Sequence, residues 1–180
     1  MRTDSAIKKD VEDELRWDRD IDASDIAIAV RDGVVALTGY VRSYKQKTQA
    51  ERDAKRNAGA LGIANDIQVR LPLINQRPDP EIARNAIDRL HDALPFASEF
   101  IKVTVNDGWL TLEGDVEWNY QRDRAEEAVQ ALRGVVGVSD NLKLKPRVLA
   151  SEVKRQIEDA LKRSAELDAN RSAVETSGPR

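Results

Sequence analysis

Histidine and cysteine, the side chains most ready for nucleophilic and acid–base chemistry near neutral pH, are almost missing from this sequence. His91 is the sole histidine and cysteine is absent, so a nucleophile with an adjacent base would have to use that imidazole or carboxylates alone. No orienting partner can be named for His91, which follows Leu90 on the outward side of a helical pattern and reads as a surface residue. Asp18-Arg19-Asp20-Ile21-Asp22 has the acid spacing of a calcium loop, but Ala23 stands where glycine is required and Ala29 where a bidentate glutamate would close the site. These acids are expected to form a solvated loop. Gly59-Ala60-Leu61-Gly62 and Gly134-Val135-Val136-Gly137 match the GxxG pattern that clamps nucleic-acid backbone. They carry no basic residue, however, and they join a helix to a strand instead of two helices, so capping and a turn explain them. No catalytic residue, metal site or cofactor is expected, and nucleic acid is not an expected partner.

Composition sets the frame for what remains. With 41% apolar and 34% charged residues in 180, the chain reads as soluble and globular. A net charge of -3 is too balanced for the whole molecule to act as a polyelectrolyte, so an anionic partner would need a local patch. The lack of cysteine excludes disulfides and removes the commonest zinc ligand. The amino terminus carries no secretory apolar stretch, and no run of ~18 apolar residues marks a membrane span. As written the chain is expected in the cytoplasm, or in the periplasm if a leader has been removed.

The elements emerge when the sequence is set against itself at a spacing of 75 residues, which aligns two segments without a gap. Ile7, Val11 and Leu15 fall on Ile82, Ala86 and Leu90, each triplet lying along one helical face. Ile26, Ile28 and Val30 then alternate with other residues, as do Ile101, Val103 and Val105, in the period of a half-buried strand. Asp32-Gly33 and Asp107-Gly108 follow as type I′ hairpin turns, whose two central residues need positive φ. The next strands carry Val35, Leu37 and Val41, or Leu110, Leu112 and Val116, with Gly39 and Gly114 at one repeat position permitting a bulge or a close helix. A second helix, with Gly59 or Gly134 as its C-cap, leads to a last strand around Ile67, Val69 and Leu71, or Leu142 and Leu144.

Helix, strand, strand, helix, strand predicts an α+β fold of repeated αββαβ modules, each with two helices on one face of a small mixed three-stranded sheet. The expected organisation is a first domain over 5–71, a proline-containing linker over 72–79, a second domain over 80–145 and a linker over 146–150. Residues 151–180 then form an incomplete third repeat, with Val153, Ile157 and Leu161 as its helical triplet and Ala173-Val174-Glu175 beginning a strand. Its helix is expected to dock on another unit or to be only partly ordered.

Val35-Ala36-Leu37-Thr38-Gly39-Tyr40-Val41 and Leu110-Thr111-Leu112-Glu113-Gly114-Asp115-Val116 resemble the signature strand of the BON domain. Gly62-Ile63-Ala64-Asn65-Asp66-Ile67 and Gly137-Val138-Ser139-Asp140-Asn141-Leu142 are similar to that family's turn into its final strand. The resemblance implies a non-catalytic, transport-associated module, often in tandem, found in bacterial osmotic and general stress proteins. It also implies association with phospholipid surfaces, mostly in the periplasm, and it brings no catalytic residue with it.

Candidate surfaces follow from charge and face. Over 42–58, Arg42, Lys45, Lys47, Arg52, Lys55 and Arg56 oppose only Glu51 and Asp53, a patch suited to an anionic phospholipid surface, with Tyr44 as an interfacial contact. Each basic residue near an anionic leaflet contributes about 1 kcal/mol, enough together for weak, salt-sensitive binding. Charged surface helices are common, so an ordinary solvated helix face is the reading favoured over a lipid site for the same residues. Trp109, Thr111, Trp118 and Tyr120 form a candidate interaction surface on the second copy, while Val34, Ala36, Thr38 and Tyr40 project from the uncovered sheet face of the first. The alternative to lipid association is a scaffolding or chaperone-like role through self-association or contacts with client proteins. Gly33, Gly39, Gly108 and Gly114 are expected to be structural.

Overall fold

The computed structural model describes residues 2–145 and 150–175. The chain divides into two units, residues 1–144 and 145–180. The first unit holds two modules in the expected order: α1 (Asp4–Trp17), β1 (Ile26–Arg31), β2 (Val34–Val41), α2 (Tyr44–Arg56) and β3 (Gly62–Val69), then α3 (Asp79–Ala93), β4 (Ile101–Asn106), β5 (Trp109–Val116), α4 (Asn119–Gln130) and β6 (Gly137–Leu144). In each module the central strand pairs antiparallel with its hairpin partner and parallel with the last strand, giving mixed sheets ordered β1-β2-β3 and β4-β5-β6.

Helix and sheet meet through the anticipated apolar faces. Ile7, Val11 and Leu15 pack with Val35, Leu37, Val41, Ala50, Ala54 and Ile67 in one core, and Ile82, Ala86 and Leu90 pack with Leu110, Leu112, Val116, Ala125, Val129 and Leu142 in the other. Thr3 caps α1 through its side chain, which accepts from the Ala6 N–H, and Ser43 caps α2 by accepting from Gln46. Pro80, in the first turn of α3, lacks an N–H where none is needed.

Both hairpins close with the two positive φ angles of a type I′ turn, at Asp32 (52°) with Gly33 (77°) and at Asp107 (49°) with Gly108 (78°). Each turn is also gripped by a carboxylate from the start of the module's first helix. Asp4 accepts from the backbone N–H groups of Asp32 (2.9 Å) and Gly33 (3.0 Å), and Asp79 accepts from those of Asp107 and Gly108 (both 2.9 Å). One side chain thereby satisfies two turn amides and ties the helix to the hairpin.

Several local expectations change. Gly39 and Gly114 do not make room for a helix. Their φ values are 117° and 134°, and a Cβ would sit 1.9 Å from the carbonyl oxygen of Asp25 or Phe100, the residue preceding the neighbouring strand. Each glycine is the one-to-one end partner of Ile26 or Ile101 in the antiparallel ladder, and the parallel ladder runs through it without an extra residue, so there is no bulge. Gly59 and Gly134 are not C-caps: α2 is capped at Asn57 and α4 at Ala131. The two glycines instead let the following loop approach helix one, where an added Cβ would lie 2.8 Å from Ile7 or 2.7 Å from Ile82. The last strands begin at Gly62 and Gly137, because the eight-residue central strands offer parallel partners along their whole length, so the supposed turns are their first halves.

In the second unit, α5 runs from Ala150 to Glu175, so Ala173–Glu175 continue a helix where a strand was expected to begin. Ile157 and Leu161 of the apolar triplet are exposed, as is Leu167. The side chain of Val153, the linker around Pro146 and the tail from Thr176 lie outside the described residues.

Replacing Gly114 with alanine is expected to cost at least about 3 kcal/mol, from backbone strain together with the collision at Phe100. Asp79→Ala should cost about 1–2 kcal/mol, since the two freed amides are partly open to water. Denaturant unfolding of the full chain checks both, and Gly114→Ala must prove the more damaging.

Candidate functional site

The basic patch on α2 divides once its partners are visible. Lys55 pairs with Glu51, while Arg56 lies 3.3 Å from Asp53 and 3.9 Å from Glu14. Arg42, Lys45, Lys47 and Arg52 make no ion pair among the described residues, and of these only Lys47 is half-buried. The seven-residue spacing of Lys45 and Arg52 puts them on one outward face. Glu51 is held below the usual carboxylate range first by its hydrogen bond from Lys55, then by that from Asn65, with the charge of Lys47 adding to both. Asn65, on β3, reaches back to α2 by donating to the Lys47 carbonyl at 3.2 Å and to Glu51 at 3.1 Å.

Tyr44 leaves the exposed set. Its ring packs against the core of the second module, and its hydroxyl donates to the Val138 carbonyl at 3.5 Å. Burial pushes its phenol above the usual range, against the lowering effect of that hydrogen bond. It links the two modules where an interfacial lipid contact was expected, a role decided by packing between copies and so invisible in the repeat pattern.

The aromatic candidates of the second module do not form one patch. Trp109 starts β5, whereas Trp118 and Tyr120 lie beyond its far end, about 23 Å away at the usual strand rise. The indole N–H of Trp109 donates to the Ser139 hydroxyl at 2.8 Å, and its ring covers Gly137, so this side chain is fixed across β5 and β6. Thr111 sits half-buried beside it, opposite Ser139. Trp118 and Tyr120 are each 60% exposed at the entry to α4.

The uncovered sheet faces have diverged. Across the first sheet Ala29, Ala36 and Ala64 stand in one row, flanked by Ala27 and Val34. The equivalent row of the second sheet is Thr104, Thr111 and Ser139. Tyr40, at the far end of the first face, lies under the Arg70 guanidinium at 4.1 Å, a cation–π contact.

The loop acids are directed at backbone. Asp18 accepts from the Asp20 N–H at 2.7 Å and Asp22 from the Ser24 N–H at 3.2 Å, as in ordinary Asx turns. Among the described residues no group of three potential ligands could hold a metal ion. His91 is exposed, and Gly62 and Gly137 are strand residues.

One polar cluster went unanticipated. Asp53, on α2, is 1% exposed and is the one buried charged residue among the described residues. Gln49 donates to Asp53 at 3.1 Å and to Asp18 at 3.0 Å, so a single amide bridges two carboxyls. Asp53 is pushed up to about 6, first by burial, then by the Asp18 carboxyl, which favours the protonated form as an acceptor and through its charge, with Arg56 opposing. The signal in the sequence was an acid, Asp53, where the second copy has Ala128.

The BON domain model matches residues 3–70 and 78–146. The chain belongs to the BON domain family. Both BON modules of the first unit fall within those matches, and the αββαβ architecture is that of the matched segments. The chain is 31% identical over 148 residues to osmotically-inducible protein Y of Escherichia coli (strain K12), covering 79% of this chain and 73% of that protein. Among solved structures, CdsD, a structural protein of the type III secretion system of Chlamydia trachomatis, is similar at 15% identity and a TM-score of 0.34, covering 86% of this chain and 69% of that one. The CdsD C-terminal domain gives 15% and 0.33, over 81% and 68%. Among the described residues, no helix of this BON protein is long and apolar enough to cross a membrane.

Tyr44→Ala is expected to lower stability by about 1–2 kcal/mol by removing a half-buried aromatic contact. Lys45→Ala, one residue away on the exposed face, should stay within about 0.5 kcal/mol. Denaturation of the two variants side by side checks the contrast.

Proposed function

We propose that this BON-domain protein is a non-catalytic member of the bacterial osmotic stress response that associates weakly with anionic phospholipid surfaces through α2 of its first module. The observation that supports this reading is the set of unpaired cations Arg42, Lys45, Lys47 and Arg52. Their equivalents in the second module are Glu117, Tyr120, Arg122 and Glu127, and Arg122 is bound to Asp140 at 2.7 Å. The second module therefore lacks the charge for such a contact. Four cations at about 1 kcal/mol each favour reversible attachment that salt screens, not permanent anchoring.

The likeness to osmotically-inducible protein Y supports the stress assignment and favours the periplasmic placement implied by the family resemblance. The cytoplasmic expectation gains no support from it. A second reading, scaffolding by self-association or contact with client proteins, is favoured by the alanine row of the first sheet and by exposed Ile157, Leu161 and Leu167 on α5.

Cosedimentation of the full chain with anionic and with neutral vesicles at low and high salt tests the lipid reading. Anionic vesicles alone should pellet the protein, high salt should release it, and a Lys45→Glu, Lys47→Glu, Arg52→Glu variant should stay in solution. A Lys55→Glu variant should lose less, because Lys55 is already paired. No pelleting under any condition overturns this reading and leaves the scaffolding one.

A further inference from the structure

The carboxyl of Asp53 is placed where an ionised carboxylate is hard to sustain. Its Oδ1 accepts from Gln49 at 3.1 Å and from Arg56 at 3.3 Å, while its Oδ2 is buried without a hydrogen-bond partner. Asp18, in the loop after α1, shares the Gln49 amide at 3.0 Å. The other charged groups facing the site are Glu14 on α1, which also raises the proton affinity of Asp53, and Arg56 on α2. Three carboxyls thus surround a single guanidinium. Two ionised carboxyls held together repel, and a buried acceptor without a donor is costly. A proton on Asp53 Oδ2, donated to Asp18, relieves both at once.

The second module is a built-in control. At the positions equivalent to Glu14, Asp18, Gln49, Asp53 and Arg56 it carries Arg89, Ala93, Arg124, Ala128 and Ala131. The helix pair there packs without any of these acids, so the fold does not need them.

We propose that Asp18 and Asp53 hold one proton between them as a latch joining the end of α1 to α2, and that its release as the medium turns from mildly acidic to neutral loosens the first module but not the second.

The direction follows from proton affinity. Asp53 is raised from 3.8 to about 6 on folding, so its contribution to stability is fully present below about pH 4 and is lost as pH rises through 6. Asp18 is lowered, first by the Asp20 backbone N–H, and Asp22 and Glu51 are lowered as well. Their stabilisation is lost only as pH falls through the acid range below those groups' ordinary values. The interval from about pH 4 to 6 therefore belongs to Asp53, and two pH units correspond to a roughly hundredfold change in the folding equilibrium.

The test is urea unfolding of the full chain between pH 4.5 and 8, for the native protein and for Asp53→Asn, whose amide keeps a donor towards Asp18. The native folding constant should fall by one to two orders of magnitude as pH rises, whereas Asp53→Asn should lose most of that slope. Carbon-detected NMR titration of the native protein's aspartate carboxyls provides a second readout that does not depend on the variant folding. One carboxyl should titrate near 6. Equal slopes in the two proteins, or an Asp53 carboxyl titrating in the ordinary aspartate range, would overturn the proposal.

Discussion

The joint between helix and hairpin governs each module. A type I′ turn leaves two backbone N–H groups pointing outward from its tip, and in both copies an aspartate in the first turn of the opening helix receives them together. The carboxylate is thereby held at the positive end of its helix and given two donors. With that end of the helix fixed on the turn, the apolar triplet lies over the central strand, and the second helix can close the remaining side of the same sheet face. The glycine on the central strand serves the opposite end of the hairpin, where the carbonyl of Asp25 or Phe100 occupies the space a side chain would need. Turn, clamp and close approach recur together, so each module repeats a complete solution and not merely a hydrophobic pattern.

What varies between the copies is everything outside that solution. The row of alanines on one uncovered sheet face is a row of hydroxyl side chains on the other. The open cations on and just before α2 meet Glu117, Tyr120, a paired Arg122 and Glu127 on and just before α4. The acid bridge between α1 and α2 is replaced by alanines and arginines. None of these changes touches the apolar triplets, so the surfaces could diverge without loss of either core. Duplication here has produced two scaffolds of one kind with unlike exteriors, joined in part by Tyr44.

Legibility followed the range of the interaction. Periodicity located the helices and strands, and the Asp-Gly pairs located the hairpins, because those signals are local. The parallel strands were read too short, since residues 62–66 and 137–141 owe their extension to eight-residue partners distant in sequence. The Asp4 and Asp79 clamp was missed although both acids occupy one repeat position: nothing within a few residues of either calls for an acceptor, and the donors lie 28 and 29 residues away. The charge of α2 was read correctly by count, but ion pairs and packing removed Lys55, Arg56 and Tyr44 from its open surface.

Asp53 illustrates why the remaining departures from a well-packed interior carry meaning. Alanine at the equivalent position, Ala128, lets the second helix pair close without a buried charge, and proteins commonly gain stability from such a replacement. The first module instead keeps an acid with one unpartnered oxygen beside another acid, and it keeps Gln49 to span them. A packing requirement cannot account for this arrangement, because the second copy meets the same requirement without it. An acid differs from alanine there by accepting from Gln49 and Arg56 through one oxygen and by being able to bind a proton on the other, and the first module is also the one whose α2 presents unpaired cations. Proton-sensitive packing and exposed charge therefore meet on one helix, while the second module supplies an inert counterpart with the same fold.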